Sequence, residues 1–254
     1  MLMSMINLDT IHVNNLRPTE GQGGTQMTRV YAHRGDSAAY PENTLLAFRQ
    51  AMRSGAYGIE LDLHATSDGT VVVIHDRSLE RTTTGRGYVD EHSLAVVRAA
   101  DAGDGERVPT FAEVLDLVGD ALHFDLEIKQ PGIEAAVLDV LARHQTTRWA
   151  VSSFDWEILR TMRALEGAAE LWPLAMHVDD ALLDVASRLS SPCVAIDAGA
   201  YTAASAQVIR DAGLAAMVWT VNDPDEALRV RDLGAATMCT DKPGEMAALF
   251  SGSR

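Results

Sequence analysis

Cysteine is scarce in this chain, basic residues are never clustered, and no apolar run is long. Each absence removes a class of function. The 254 residues include two cysteines, Cys193 and Cys239, in separate apolar runs. Their spacing fits no metal motif, so buried thiols are expected and not a disulfide framework. Lys and Arg number 21 against 36 Asp and Glu, a formal net charge of −15, with no long Lys/Arg run. A nucleic-acid groove needs clustered cations, so nucleic acid is not an expected partner. No apolar stretch approaches the ~18 residues of a membrane span, so no stable membrane insertion is expected. The N-terminus has no basic region followed by an apolar core, so it does not read as a secretory signal. A soluble, cytoplasmic protein is the expectation, with the oligomeric state left open.

What is present is a large apolar fraction, 47%, enough to build one large α/β core or two small ones. Residues 1–27 are Asn/Thr/Gly-rich without clear periodicity and are expected to be a flexible leader. Met27 directly precedes the first strand pattern, so translation from Met27 is an expectation that N-terminal sequencing of the native protein checks.

From residue 29 onward, strand and helix patterns alternate. The expected strands are 29–34, 58–65, 123–129, 149–154, 170–176, 193–198, 215–221 and 236–240. Helices are expected between and after them, the first opening at Pro41-Glu42-Asn43-Thr44 and the second at Pro109-Thr110. Gly167, Gly213 and Gly234 stand where helix C-caps are expected. Asp68-Gly69 is a hairpin turn signal leading into an extra strand, 70–75. Residues 77–108 break the alternation, so an insertion spanning about 67–108 is expected after the second strand. Without the hairpin strand there are eight strand–helix units, which implies parallel pairing through crossover helices. The resulting expectation is an α/β fold, a (β/α)8 TIM barrel with a small insertion, formed by residues 28–254. An open doubly wound sheet is the alternative, but no G-x-G-x-x-G turn follows the first strand.

Such a barrel builds its active site at the C-terminal strand ends. His33-Arg34 ends the first strand, Glu60-Leu61-Asp62 lies late in the second, and Glu127-Ile128-Lys129 ends the third. Alternation puts Glu60 and Asp62 on one face, and Glu127 with Lys129 on one face. His75-Asp76, on the hairpin, can fold back over the same rim. Two imidazoles can share proton transfer, a carboxylate group can hold a hard cation, and Arg34 can hold an anion. This points to metal-assisted chemistry on a phosphate ester. His64 and Asp125 share the alternation and are expected to support the site structurally, and Glu42 to order the loop after His33. His92, His123, His144 and His177 are expected to be structural or on the surface.

His33-Arg34-Gly35, Pro41-Glu42-Asn43-Thr44, Glu60-Leu61-Asp62, Asp68-Gly69, His75-Asp76, Arg81-Thr82-Thr83, Pro109-Thr110 and Glu127-Ile128-Lys129 stand in one order along the chain. In that order they resemble the signature of the glycerophosphodiester phosphodiesterase family. The similarity extends over about residues 29–250, including Trp219-Thr220-Val221-Asn222 and Thr240-Asp241-Lys242-Pro243. The resemblance implies a barrel that hydrolyses glycerophosphodiesters to sn-glycerol 3-phosphate and an alcohol. It implies Glu60, Asp62 and Glu127 as ligands of one divalent cation, Ca²⁺ or Mg²⁺, and His33 and His75 as the general acid/base pair. It further implies Arg34 and Lys129 on the phosphate and Trp219 on the alcohol side. His64 and the run Ala236-Thr237-Met238-Cys239 depart from the family's usual residues. Two rival expectations are a phospholipase D-like activity on lysophospholipids and a non-catalytic phosphate-ester binding protein.

Overall fold

A computed structural model describes residues 28–144 and 148–251. The expected leader, with its start at Met27, lies outside the described residues. The elements run β1 Arg29–His33, α1 Leu45–Ala51, β2 Gly58–Ala65, β3 Val71–Val73, α2 Leu94–Val97, α3 Phe111–Val118, β4 His123–Ile128 and α4 Glu134–His144. They continue as β5 Trp149–Ser153, α5 Trp156–Leu165, β6 Leu171–Ala175, α6 Asp180–Arg188, β7 Cys193–Asp197, α7 Ala203–Asp211, β8 Ala215–Trp219, α8 Pro224–Asp232, β9 Thr237–Thr240 and α9 Pro243–Ser251.

Eight strands pair in parallel around a closed ring, β1-β2-β4-β5-β6-β7-β8-β9, and β9 returns to β1 with Ala32 opposite Thr240. The fold is a (β/α)8 barrel. Strand alternation sorts the side chains into two apolar clusters. Ile59, Leu61, Leu63, Phe124, Leu126 and Ile128 point outward into the layer shared with the helices. Tyr31, Trp172, Leu174, Cys193, Met217 and Cys239 fill the lumen. The same alternation turns Glu60, Asp62, Asp125 and Glu127 inward, where all four are buried. Both cysteines are free and buried.

At the floor, the His123 ring stacks between Trp172, 5.9 Å away, and Tyr57, 6.0 Å away, and its Nδ1 lies 3.0 Å from the Tyr31 hydroxyl. His123 is a structural residue here, as expected. Buried among aromatic rings and facing Arg148 and Arg29, its imidazole is held down at about 3.

The antiparallel strand β3 pairs with Leu63–Ala65, while β4 takes the other edge of Leu63. The hairpin therefore stands on the β1 side of β2, above the β1 pairing, and carries His75 over the barrel mouth. The insertion that follows has a small core of its own, with Val72, Ile74, Leu79, Val89, Val97, Ala102 and Val108.

Helix starts follow local capping chemistry. Thr110 and Glu113 form a reciprocal capping box on α3. Pro41 does not open α1. Asn43 adopts a left-handed backbone (φ 58°), Thr44 caps the helix from its side chain, and α1 begins at Leu45. Gly213 and Gly234 take positive φ after α7 and α8, as expected of C-caps. Gly167 does not: α5 ends on Glu166 in extended backbone, so no left-handed residue is needed.

Candidate active site

Barrel closure brings His33, Arg34, Glu60, His75, Glu127, Lys129 and Trp219 to the lining of one cavity of about 110 Å³ at the C-terminal mouth. Asp62 is fully buried beside it. Carboxylate oxygens of Glu60, Asp62 and Glu127 all lie within 4.8 Å of one another. The strand register produces this group, because Asp62 pairs with Glu127 and Glu60 with Asp125 across β2 and β4.

Three buried carboxylates this close repel each other. Burial, then the Asp62 charge, push the Glu60 carboxyl well above the usual carboxylate range. Burial and Asp62 lift Glu127 to about 7, with Lys129 pulling the other way. One step deeper, burial raises Asp125 to about 8 although Ser152 Oγ donates to it at 2.7 Å. Burial also opposes ionisation of Asp62, but Arg34 and Lys129 outweigh it and hold that carboxyl low. Two oxygens of the group, Glu60 Oε1 and Asp62 Oδ1, are buried without a hydrogen-bond partner among the described residues. Unpaired buried acceptors of this kind fit a hard cation, which takes oxygen ligands. An all-oxygen donor set suits Ca²⁺ or Mg²⁺ better than a softer ion.

The two cationic side chains sit against this group. Arg34 Nε lies 3.2 Å from Asp62 Oδ2, and its Nη1 donates to Glu42 at 3.0 Å. Glu42 thus orders Arg34, in keeping with the loop role expected for it. Lys129 Nζ donates to Glu127 Oε1 at 2.7 Å and lies 3.5 Å from Asp62 Oδ1.

Each imidazole is oriented by an aspartate. His33 Nδ1 lies 2.6 Å from Asp241 Oδ1, and its Nε2 points to the carboxylate group, 3.9 Å from Glu60 Oε2. His75 Nδ1 lies 2.6 Å from Asp76 Oδ1, and Lys129 Nζ donates to its Nε2 at 3.1 Å. An ionised aspartate only accepts, so each Nδ1 carries the proton and each Nε2 faces the cavity. Burial opposes ionisation of Asp241. Hydrogen bonds from His33, Asn222 and Ser37 more than offset it and hold the carboxyl at about 2. His64 is buried behind the hairpin, its Nε2 3.2 Å from the His75 carbonyl.

Sequence reasoning did not assign Asp241, Asn222 or Asn43 to the site. Asn43, in its left-handed turn, donates to Asp62 Oδ2 at 2.8 Å. Asp76 was visible as the neighbour of His75. Asp241 sits 208 positions from its histidine, and only the β1–β9 pairing makes them neighbours. The signal was indirect: in a closed barrel, the residue after the last strand stands beside the end of the first.

The opposite wall is apolar. Trp219, Leu174 and Met217 line it, and Phe154 packs edge-on against Trp219 at 5.4 Å. The Trp219 indole N–H is buried and has no partner among the described residues.

A barrel mouth with two aspartate-held imidazoles, a carboxylate group suited to a hard cation and two cationic side chains suits the class of phosphoric diester hydrolases. Comparison with known proteins makes this specific. Residues 33–245 match the model of the glycerophosphoryl diester phosphodiesterase family, and the chain belongs to that family. The glycerophosphodiester phosphodiesterase of Caldanaerobacter subterraneus subsp. tengcongensis is 32% identical over 246 residues, covering 85% of this chain and 95% of that protein. A Bacillus subtilis glycerophosphodiester phosphodiesterase is 31% identical, with 84% and 83% covered. Among solved structures, an Oleispira antarctica phosphodiesterase in complex with the product sn-glycerol-3-phosphate superposes with a TM-score of 0.85 at 27% identity. That match covers 89% of this chain and 98% of the other. Among the described residues, no helix is long and apolar enough to cross a membrane.

Proposed function

We propose that this phosphodiesterase hydrolyses glycerophosphodiesters to sn-glycerol 3-phosphate and an alcohol, with His33 and His75 as the acid/base pair. We further propose one divalent cation, Ca²⁺ or Mg²⁺, held by Glu60, Asp62 and Glu127. The observation that carries the reading is the pair of histidines with Nδ1 held by aspartates, His33 Nε2 directed at Glu60 and His75 Nε2 at Lys129, beside the carboxylate group. The product named in the Oleispira complex supports the glycerophosphate half of the substrate.

A phosphodiester monoanion repels nucleophiles, and its alkoxide is a poor leaving group. A cation at the carboxylate group supplies charge neutralisation for the non-bridging oxygens. Arg34 offers a planar fork matched to phosphate oxygens, and Lys129 a point charge beside it. One imidazole, neutral, takes the proton of the nucleophile at Nε2, while the other, protonated on both nitrogens, gives its Nε2 proton to the leaving oxygen. The same pair serves water or the substrate's own glycerol 2-hydroxyl, and trapping of a cyclic phosphate distinguishes the two. Trp219 lines the alcohol side.

A second reading, phospholipase D-like action on lysophospholipids, is favoured by one feature. Phe154 and Met176 are 46% and 49% exposed just past the ends of β5 and β6, an apolar rim that suits an acyl chain.

Turnover of glycerophosphocholine and lysophosphatidylcholine, measured with chelator and then with Ca²⁺ or Mg²⁺ restored, tests both. Release of glycerol 3-phosphate that chelator abolishes and cation restores is expected. Indifference to chelator refutes the cation assignment. Tight binding without product release refutes catalysis in favour of a phosphate-ester binding protein.

A further inference from the structure

Four charge-assisted hydrogen bonds converge on Arg81, a residue of the insertion with no part in the proposed chemistry. Its Nε and Nη2 donate to Asp76 Oδ2 and Oδ1 at 2.7 and 2.9 Å. Its Nη1 and Nη2 donate to Glu42 Oε2 and Oε1 at 2.9 Å each. One guanidinium therefore makes two forks, one to the loop after β1 and one to the loop after β3. Each carboxylate also holds a side chain of the cavity: Asp76 Oδ1 the His75 ring at 2.6 Å, and Glu42 Oε1 the Arg34 fork at 3.0 Å. The result is a continuous chain, Arg34–Glu42–Arg81–Asp76–His75, in which guanidinium and carboxylate alternate up to the imidazole.

We propose that Arg81 is a positioning residue that locks the His75 loop to the Arg34 loop, so that turnover depends on it although it touches no reacting atom. The inference rests on the acid/base reading of His75 given above. Isolated surface ion pairs contribute little. This arrangement differs because Nη2 is shared by an oxygen of each carboxylate. Without the guanidinium, two carboxylates face each other at close range, repel and splay. Asp76 then turns His75 away, and Glu42 releases Arg34. Lysine cannot replace the lock, since a single ammonium cannot form two planar forks.

The turn that presents Arg81 is independently anchored. Leu79 is buried in the insertion core, and Thr83 closes the turn onto the Leu79 carbonyl at 2.7 Å. Removing the Arg81 side chain therefore leaves its backbone held. Arg77 is an internal control: it makes the same fork to Asp90, at 3.1 and 2.9 Å, in the same insertion but away from the cavity.

The test is steady-state hydrolysis of glycerophosphocholine by wild type, R81A, R81K and R77A, with melting temperatures taken in parallel. Groups that orient catalytic side chains change activity by about 10- to 100-fold when removed. We expect losses of that size in kcat for R81A and R81K, a smaller rise in KM, and wild-type kinetics for R77A. Millimolar guanidinium should restore part of the R81A loss without moving its melting temperature. Wild-type kcat in R81K overturns the proposal. So does a loss in R81A that guanidinium leaves unrelieved, or one matched by R77A. If the wild-type enzyme releases no glycerol 3-phosphate, the functional reading itself fails, and that result is separate from the variant comparison.

Discussion

Replacing Asp241 by asparagine changes one atom and should invert the tautomer of His33. Asp241 accepts three hydrogen bonds: from His33 Nδ1 at 2.6 Å and Ser37 Oγ at 3.0 Å on Oδ1, and from Asn222 Nδ2 at 2.6 Å on Oδ2. Asn222 cannot turn over to help. Its Oδ1 is engaged by Thr240 Oγ1 at 3.0 Å and by the Asp241 backbone N–H at 2.8 Å, so its NH₂ is locked toward position 241. The amide of D241N must then offer its oxygen to Asn222 and its NH₂ to His33. In the neutral ring His33 Nδ1 becomes an acceptor and the proton moves to Nε2, so the bare nitrogen that a base would use no longer faces the cavity. Recovering the active tautomer forces two NH₂ groups against each other. Both NH₂ groups are only part-buried, so at about 1 kcal/mol for each donor left unpaired the cost is about 2 kcal/mol. That corresponds to a roughly 30-fold loss. We expect it in kcat on glycerophosphocholine, with KM little changed, and ¹⁵N NMR should show the His33 proton on Nε2. Adding N222A frees the amide to turn and should recover part of the loss. Activity of D241N within about threefold of wild type refutes the reasoning, as does a deep loss with the proton still on Nδ1.

Three further outcomes follow from the same geometry. His33→Ala and His75→Ala should each lose about 10²–10⁴-fold in kcat while keeping the wild-type circular dichroism and melting behaviour; near-wild-type turnover in either removes the acid/base assignment. Glu127→Gln removes one charge from the carboxylate group and should weaken Ca²⁺ or Mg²⁺ binding by about 10-fold or more, read by calorimetry on the unsubstituted and substituted proteins; equal affinity would place the ion elsewhere. At the floor, His123 is neutral in the fold down to about 3, while an unfolded imidazole takes its proton near 6.5. The unfolded chain then binds more protons across that window, so stability is full above about 6.5 and falls as the pH drops toward 3, by a few kcal/mol in order of magnitude. His123→Asn should flatten the pH dependence of the urea midpoint between pH 4 and 6.5, and an unchanged slope would rule out His123 as its source.

The fold was legible because each strand states its two faces in the sequence. Gly58–Ala65 alternates Ile59, Leu61 and Leu63 with Glu60, Asp62 and His64, and the structure sends the first set to the helix layer and the second inward. Alternation cannot report which strand lies beside which. Glu60, Asp62 and Glu127 share a site because the parallel register pairs Asp62 with Glu127, a relation across 65 residues. The residues that were missed depend on relations of this kind or on backbone geometry. Asn43 reads as part of a helix start, yet its left-handed turn aims it at Asp62. Asp241 reads as the residue just after the last strand, yet barrel closure makes it the partner of His33. Arg81 reads as part of a short motif in the insertion with no role attached, yet it spans two loops. The groups proposed to react sit at strand ends, where local pattern marks them. The groups that aim them come from turns and from the seam of the barrel, and there position is set by pairing, which no single segment encodes. An account of catalysis built from motifs alone therefore contains the imidazoles and the carboxylates, and lacks the bonds that decide which nitrogen carries the proton.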